Sequence, residues 1–127
     1  MPHQFRKHYT LQEARALLPQ IREWLVEIHQ LRRRLKPLDH RIEQLLAGGA
    51  DVGGDSVQTQ AKLLAELQRV VREFYTREIQ IKDIDRGLID FPSILDDREV
   101  FLCWELEDED IEFWHELDAG FAGRERL

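Results

Sequence analysis

Residues 17–46 read LLPQIREWLVEIHQLRRRLKPLDHRIEQLL, and this stretch decides the fold. Its apolar residues recur at alternating steps of four and three, the repeat of a coiled-coil helix. Thr10-Leu11-Gln12-Glu13 has the form of a capping box, so the helix is expected to begin there. The repeat keeps its phase through Pro19 and Pro37, which favours one bent helix over residues 10–46. The seam consists of Leu17, Ile21, Trp24, Ile28, Leu31, Leu35, Leu38, Ile42 and Leu45.

A glycine-rich segment separates this helix from a second one. Residues 47–55 hold four glycines and no periodic apolar residue, which is typical of a loop. Helical periodicity then returns over residues 56–77, and a short loop between two striped helices predicts an antiparallel hairpin. The second helix is the shorter one, so part of the first needs another partner. The predicted stripe of the second helix is Val57, Ala61, Leu64, Leu67, Val71 and Phe74.

The apolar pattern changes from helical to alternating over residues 79–118, which predicts a small antiparallel sheet. A turn at residues 85–87 separates two extended segments, the second of which is expected to stop at Pro92. The acidic run at residues 107–110 turns the chain into a returning strand, and residues 119–127 read as an irregular tail. The sequence therefore predicts an α+β fold: a long antiparallel helical hairpin, coiled-coil-like with a kinked first helix, followed by a small antiparallel β-sheet that packs on the first helix.

Composition narrows the class of protein. A chain of 127 residues, 43% apolar and 34% charged, fits a single domain over residues 1–127, and no apolar run is long enough to cross a membrane. Residues 79–127 carry fifteen acidic and five basic residues, which disfavours nucleic acid as a partner there. A cytoplasmic location is expected, since the N-terminal residues lack an apolar signal segment. The lone Cys103 lies among apolar neighbours and is interpreted as a small buried hydrophobe.

Several short motifs carry a family resemblance. They are KDIDRGLIDFP at residues 82–92, Leu102-Cys103-Trp104, Phe113-Trp114-His115 and GFAGR at residues 120–124. With these motifs the chain resembles the bacterial domain of unknown function 2203 family, from Tyr9 to Arg124. The resemblance implies a stand-alone soluble bacterial protein, and it implies no catalytic residues.

Carboxylates and one imidazole in the acidic part form a candidate metal site. Such side chains are ligands for a divalent transition metal ion such as Mn, Fe(II) or Zn. The spacing of these residues matches neither an EF-hand loop nor a His-Glu-x-x-His helix. The alternative to a metal site is an acidic turn with a histidine packed beside Trp114. The candidate ligands are His115, Asp83, Asp85 and Asp90.

Aromatic residues in the same part could line a binding pocket floored by His115, or could equally form the core of a small sheet. The glycines at 120 and 123 would let the backbone approach an anion, although such a pair is more typical of a turn. The candidate binding residues are Trp104, Trp114, Phe91, Phe121 and Arg124.

Three functions remain open at this point, and the sequence does not decide whether the protein is an enzyme. The first is a non-catalytic binding or scaffold module that forms a homodimer through its hairpin, because the seam of the first helix outruns the second helix. The second is a metal-dependent enzyme or metal-binding sensor that uses the His/Asp site. The third is an RNA- or ribosome-contacting hairpin, suggested by the basic run at Arg32-Arg33-Arg34 with Lys36 and Arg41.

Overall fold

The computed structural model describes residues 2–49 and 54–127. Within these residues the chain forms two helices, α1 (Leu11–Ala47) and α2 (Asp55–Tyr75), and then five strands. The strands are β1 (Gln80–Asp83), β2 (Leu88–Leu95), β3 (Arg98–Trp104), β4 (Phe113–Glu116) and β5 (Glu125–Arg126), with a short 3-10 turn at Phe121–Gly123 before β5. The predicted α+β fold is confirmed, and both helices end within two residues of their predicted bounds.

Helix α1 is continuous through both of its prolines, as the unbroken seam predicted. The capping box forms: the Thr10 amide donates to Glu13 Oε1 at 3.0 Å and the Glu13 amide donates to Thr10 Oγ1 at 3.1 Å. Pro19 and Pro37 are both exposed. Water can therefore solvate the carbonyl that each proline leaves without its helical donor, which makes both prolines tolerable.

The chain divides into two compact units, one running up to Leu25 and resuming over Glu73–Leu127, the other formed by Val26–Arg72. In the second unit, the later part of α1 runs antiparallel to α2. The side-chain Nε2 of Gln60, early in α2, donates to Oδ1 of Asp39, late in α1, at 2.6 Å. At the other end of this helix pair, Nη2 of Arg69, late in α2, lies 3.6 Å from Oε1 of Glu27, at the start of the later part of α1. No described helix is long and apolar enough to span a lipid bilayer.

The buried stripe of α2 differs from its predicted position. Leu63 and Val70 are buried, together with Phe74, whereas the predicted Leu64 is 43% exposed. The reason is that Leu63-Leu64 and Val70-Val71 are both apolar pairs. Two adjacent helix faces therefore have nearly the same periodicity, and the pattern alone cannot choose between them.

Strand β2 continues through Pro92 to Leu95, so the expected stop at Pro92 is wrong. The carbonyl of Pro92 accepts the Tyr9 amide at 2.7 Å, which shows that its backbone polar groups face the N-terminal residues and not β3. The pairing of β1 with β2 has already ended at Gln80 and Asp90. Proline occupies an edge position there and removes no hydrogen bond from the sheet.

The tail is also more regular than predicted. Its last residues form β5, which pairs with β4 through Phe113 and Arg126, and the Leu127 amide donates to the Glu112 carbonyl at 2.8 Å. A strand of two residues is too short to show alternation, so no residue pattern predicts it. The complete sheet is antiparallel, with its strands ordered as they occur along the chain, β1-β2-β3-β4-β5.

Register assigns the sheet residues to two faces. We call the face on which α1 packs the helix face, and it carries Ile89, Phe91, Leu102, Trp104 and Trp114. We call the opposite face the cluster face, and it carries Asp90, Phe101, Cys103, Phe113 and His115.

The first part of α1 packs on the helix face. The Arg22 guanidinium lies 5.0 Å from the centre of the Trp104 ring, and its Nη1 donates to the Leu106 carbonyl at 3.0 Å. Gly87 has a positive φ of 64°, and a Cβ at this position would lie 2.7 Å from Leu106 Cβ and 3.4 Å from Leu25 Cδ1. The turn between β1 and β2 therefore requires glycine both for its backbone angle and for the approach of α1.

Candidate metal centre

Three adjacent strands bring Asp90, Cys103 and His115 together on the cluster face. Asp90 on β2 lies directly opposite Cys103 on β3, and His115 on β4 lies opposite Phe101, two residues from Cys103. One potential ligand atom of each side chain lies within 4.8 Å of those of the other two. All three residues are at most 2% exposed. A nitrogen, a sulfur and a carboxylate oxygen thus meet in a buried, water-poor environment.

The hydrogen bonds of His115 fix the orientation of its ring. Nδ1 lies 2.7 Å from the carbonyl of Glu116, and because a carbonyl can only accept, Nδ1 must carry the hydrogen. Nε2 lies 2.9 Å from Asp90 Oδ2. In a neutral ring Nε2 is then a lone-pair acceptor that faces another acceptor. Either a proton or a metal cation must lie between these two atoms.

Asp90 has a second oxygen that is not paired. Its Oδ1 is buried and has no hydrogen-bond donor among the described residues. Burial raises the pKa of Asp90, although the proximity of His115 and Lys82 opposes this shift. An unpaired buried oxygen of this kind costs about 1–3 kcal/mol, and the groups beside it that could offset this cost are the Cys103 thiol, which interacts with the Asp90 carboxylate, and a bound ion.

Cys103, which the sequence pattern indicated only as a small buried hydrophobe, is a third potential ligand. Burial, followed by the negative charge of Asp90, raises the pKa of its thiol to about 12. The thiol is therefore protonated at neutral pH in the metal-free protein and is a poor nucleophile. A divalent cation reverses this preference, because a coordinating thiol loses its proton.

Asp83 and Asp85 lie apart from this cluster. Asp83 Oδ1 accepts the backbone amides of Asp85 and Arg86 at 3.1 and 3.2 Å, and so stabilises the turn between β1 and β2. The group of ligand atoms found among the described residues contains neither of the two carboxylates. Of the four predicted ligands, the structure brings Asp90 and His115 together and adds Cys103.

The predicted aromatic pocket is divided between the two faces. Phe91, Trp104 and Trp114 lie on the helix face, where Phe91 and Trp104 are fully buried, so they do not line a pocket with His115. Phe121 and Arg124 are not on the helix face, because the Arg124 guanidinium contacts Phe121 and also Phe113, which lies on the cluster face.

The N-terminal residues cover the cluster face. The Phe5 ring packs against Phe101 with a centroid distance of 5.4 Å, and Phe101 packs against His115 at the same distance. Glu99 holds the covering segment by accepting the amides of Gln4 and Phe5 at 2.8 and 2.9 Å. This layer helps to exclude water from the cluster.

A second group with ligand-type side chains consists of His3, His8 and Glu99. Its histidines are less buried, and Glu99 already accepts the two backbone amides and lies 2.7 Å from His8 Nε2. Unlike the buried cluster, it has no unpaired buried oxygen among the described residues. These contacts are explained by attachment of the N-terminal segment.

Comparison with known protein families gives one match. The sequence model of the family described as "Uncharacterized conserved protein (DUF2203)" matches residues 7–127. The chain belongs to the DUF2203 family. The resemblance drawn from the short motifs is thereby confirmed, and all three cluster residues of this DUF2203 protein fall within the matched range. Searches among curated proteins and among solved structures give no match.

Proposed function

We propose that this DUF2203 protein binds one divalent transition metal ion through Asp90, Cys103 and His115. The observation that carries the proposal is the buried contact between Nε2 of His115 and Oδ2 of Asp90, two acceptors that require either a proton or a metal cation between them. The protonated thiol and the unpaired Asp90 Oδ1 lie beside this contact. Nitrogen, thiolate and carboxylate together favour zinc or Fe(II) over magnesium or calcium.

The dimensions of the cluster are close to those of a zinc site. Ligand atoms in a tetrahedral zinc site lie about 3.4–3.6 Å apart, given zinc–ligand distances of about 2.0–2.3 Å. The observed separations run from 2.9 Å between His115 and Asp90 to at most 4.8 Å within the whole group, so they would have to change by between about 0.6 Å and at most about 1.3 Å to form the site. The bond from Nδ1 to the Glu116 carbonyl is the orienting contact that metal-bound histidines usually make.

Three protein ligands leave one tetrahedral position for water or another ligand, as in sites that sense or transform small molecules. Binding also releases the Cys103 proton, so the affinity should rise with pH. A reducing compartment such as the cytoplasm keeps this cysteine available as a ligand.

The decisive experiment is elemental analysis of protein purified without a histidine tag, followed by titration with Co²⁺. One equivalent of metal and a thiolate-to-cobalt absorption band are expected. Cys103→Ser should abolish the band, and Asp90→Asn should lower the affinity by at least about 100-fold. His8→Gln is the matched control and should leave both unchanged. A folded wild-type protein that binds neither Zn²⁺ nor Co²⁺ at neutral pH would refute the proposal.

A homodimeric scaffold is the second candidate, and exposed apolar residues in the Val26–Arg72 unit favour it. Val26 is 47%, Leu46 58% and Leu64 43% exposed, and all three lie on the helices of this unit. A second hairpin packed on these residues would complete a four-helix bundle. Sedimentation velocity should then give a dimer that Leu64→Lys dissociates, while a wild-type monomer at micromolar concentration excludes this role.

A further inference from the structure

Arginine and phenylalanine side chains alternate near the end of the chain. The Arg124 guanidinium carbon lies 4.0 Å from the centre of the Phe113 ring and 4.1 Å from that of Phe121. Arg86 lies over Phe121 at 4.4 Å, and Arg126 lies over Phe113 at 5.2 Å. Three guanidinium groups therefore surround two aromatic rings.

The three arginines differ in their partners. Arg86 forms an ion pair with Glu105, and Arg126 lies 3.9 Å from Glu112. The Arg124 guanidinium, by contrast, makes no hydrogen bond and no ion pair with any described residue. This is unexpected because residues 79–127 hold three times as many acidic as basic side chains. The half-buried Arg124 thus keeps its N–H donors unused in the most acidic part of the protein.

Backbone geometry holds this arginine in place. Gly120 adopts φ 69° and ψ −172°, a conformation that is essentially restricted to glycine, and the 3-10 turn follows directly. This turn returns Phe121 and Arg124 to Phe113. Contact with two rings restricts the long Arg124 side chain, so less conformational entropy is lost when its planar fork binds a ligand.

The arginine adjoins the buried cluster. Phe113, over which the guanidinium lies, is paired directly with Cys103 across β3 and β4. The positive charge of Arg124 also acts on Cys103, where it partly offsets the effect of burial on the pKa of the thiol. An anion bound to Arg124 would therefore lie at the edge of the cluster face.

We propose that Arg124, held by Phe113 and Phe121, is the anchor of an anion-binding site for the carboxylate or phosphate group of a small ligand. Both groups offer two oxygens to the parallel N–H donors of a guanidinium, which is the geometry that arginine binds best. The site goes beyond the proposed metal function and does not require the metal.

The test is titration of chelator-treated protein with inorganic phosphate and separately with acetate, at constant ionic strength, followed by NMR of the arginine side chains. Saturable binding of at least one probe, with a shift of the Arg124 Nε–H resonance, is expected. Binding of phosphate alone assigns a phosphate ligand, and binding of acetate alone assigns a carboxylate ligand.

Two substitutions at the anchor and one control complete the test. Arg124→Gln should weaken binding at least about tenfold, the effect of losing about 1.4 kcal/mol from a charged hydrogen bond. Arg124→Lys keeps the charge but loses the fork, and it should also bind more weakly than the wild type. Arg98→Gln is the matched control, because Arg98 lies over Trp114 and is paired with Glu116.

The proposal is overturned if neither probe binds saturably, or if Arg98→Gln weakens binding as much as Arg124→Gln. Should Arg124→Gln fail to fold, Arg124→Lys decides by the same comparison. Because the protein is free of metal throughout, failure here is distinct from failure of the metal titration.

Discussion

Glu99→Gln should detach the N-terminal segment from the sheet. The Glu99 carboxylate accepts the Gln4 and Phe5 amides and lies 2.7 Å from His8 Nε2, and its side chain is only 10% exposed. Glutamine offers one acceptor oxygen and turns an N–H₂ group toward at least one of these donors. The loss of one charged hydrogen bond and the weakening of the others should cost about 2–3 kcal/mol of local stability.

Hydrogen exchange at the Gln4 and Phe5 amides measures this loss directly. A cost of 2–3 kcal/mol corresponds to a roughly 30- to 150-fold fall in protection. Glu116→Gln is the control, since Glu116 makes a half-exposed ion pair with Arg98 that should contribute less than about 1 kcal/mol. If the Gln4 and Phe5 amides are protected as well in Glu99→Gln as in Glu116→Gln, the assignment of Glu99 as the anchor is refuted.

The same contacts predict how acid affects the segment. Burial raises the pKa of Glu99, but the hydrogen bonds from His8 and the two amides outweigh it and hold the pKa below its ordinary value. The stabilisation is therefore present above the unfolded-state pKa of about 4.3 and is lost as the pH falls through the folded-state value. Protection of the two amides should decrease along the same acid limb, and a pH-independent protection would contradict this.

Three further predictions concern the cluster, the hairpin and the turn before β2. In chelator-treated protein, the raised pKa of Asp90 means that the stability contributed by this group is lost as the pH rises through its folded-state pKa. The free energy of urea unfolding of Asp90→Asn should therefore rise relative to that of the wild type as the pH increases, by up to about 1.4 kcal/mol per pH unit. Parallel plots of the two free energies against pH would disprove it. Leu63→Ala should cost about 2–5 kcal/mol and Leu64→Ala less than about 1 kcal/mol, and a reversed order in thermal or urea unfolding would show that the assigned buried stripe is incorrect. Gly87→Ala should cost more than about 1 kcal/mol, because it combines a positive φ with a clash against Leu106, and an unchanged melting temperature would contradict this reading.

The fold was predictable where one pattern extends over many residues. The seam of α1 and the capping box at Thr10 are local signals, and both give the correct element, although Leu18 and Leu25 are buried whereas the predicted Leu17 and Trp24 are only half-buried. The stripe of α2 was not resolved, because Leu63 and Leu64 are equally apolar and only tertiary packing selects one of them. Pro92 shows a similar limit, since its effect depends on whether its strand position faces an edge or a neighbour.

The candidate site was only half predictable. Asp90 and His115 were found by residue type, because a lone imidazole and carboxylates suggest metal ligands. Cys103 required the strand register, which places it directly opposite Asp90 across β2 and β3. Asp83 has the right chemistry but is used by its own turn, and such local hydrogen bonding is not visible in the spacing of acidic residues.

The strand order of the sheet has a consequence for folding during synthesis. Each strand pairs with its neighbour along the chain, so the sheet can grow hairpin by hairpin with only local loop closure. The first part of α1 differs, because its partners on the helix face extend to Trp104. At about 5–20 residues per second, the ribosome needs roughly 4–16 s to add the chain between Leu25 and Trp104. Throughout that interval the apolar side of the first part of α1 has no sheet to cover it, and this segment is therefore the one most prone to aggregation during synthesis.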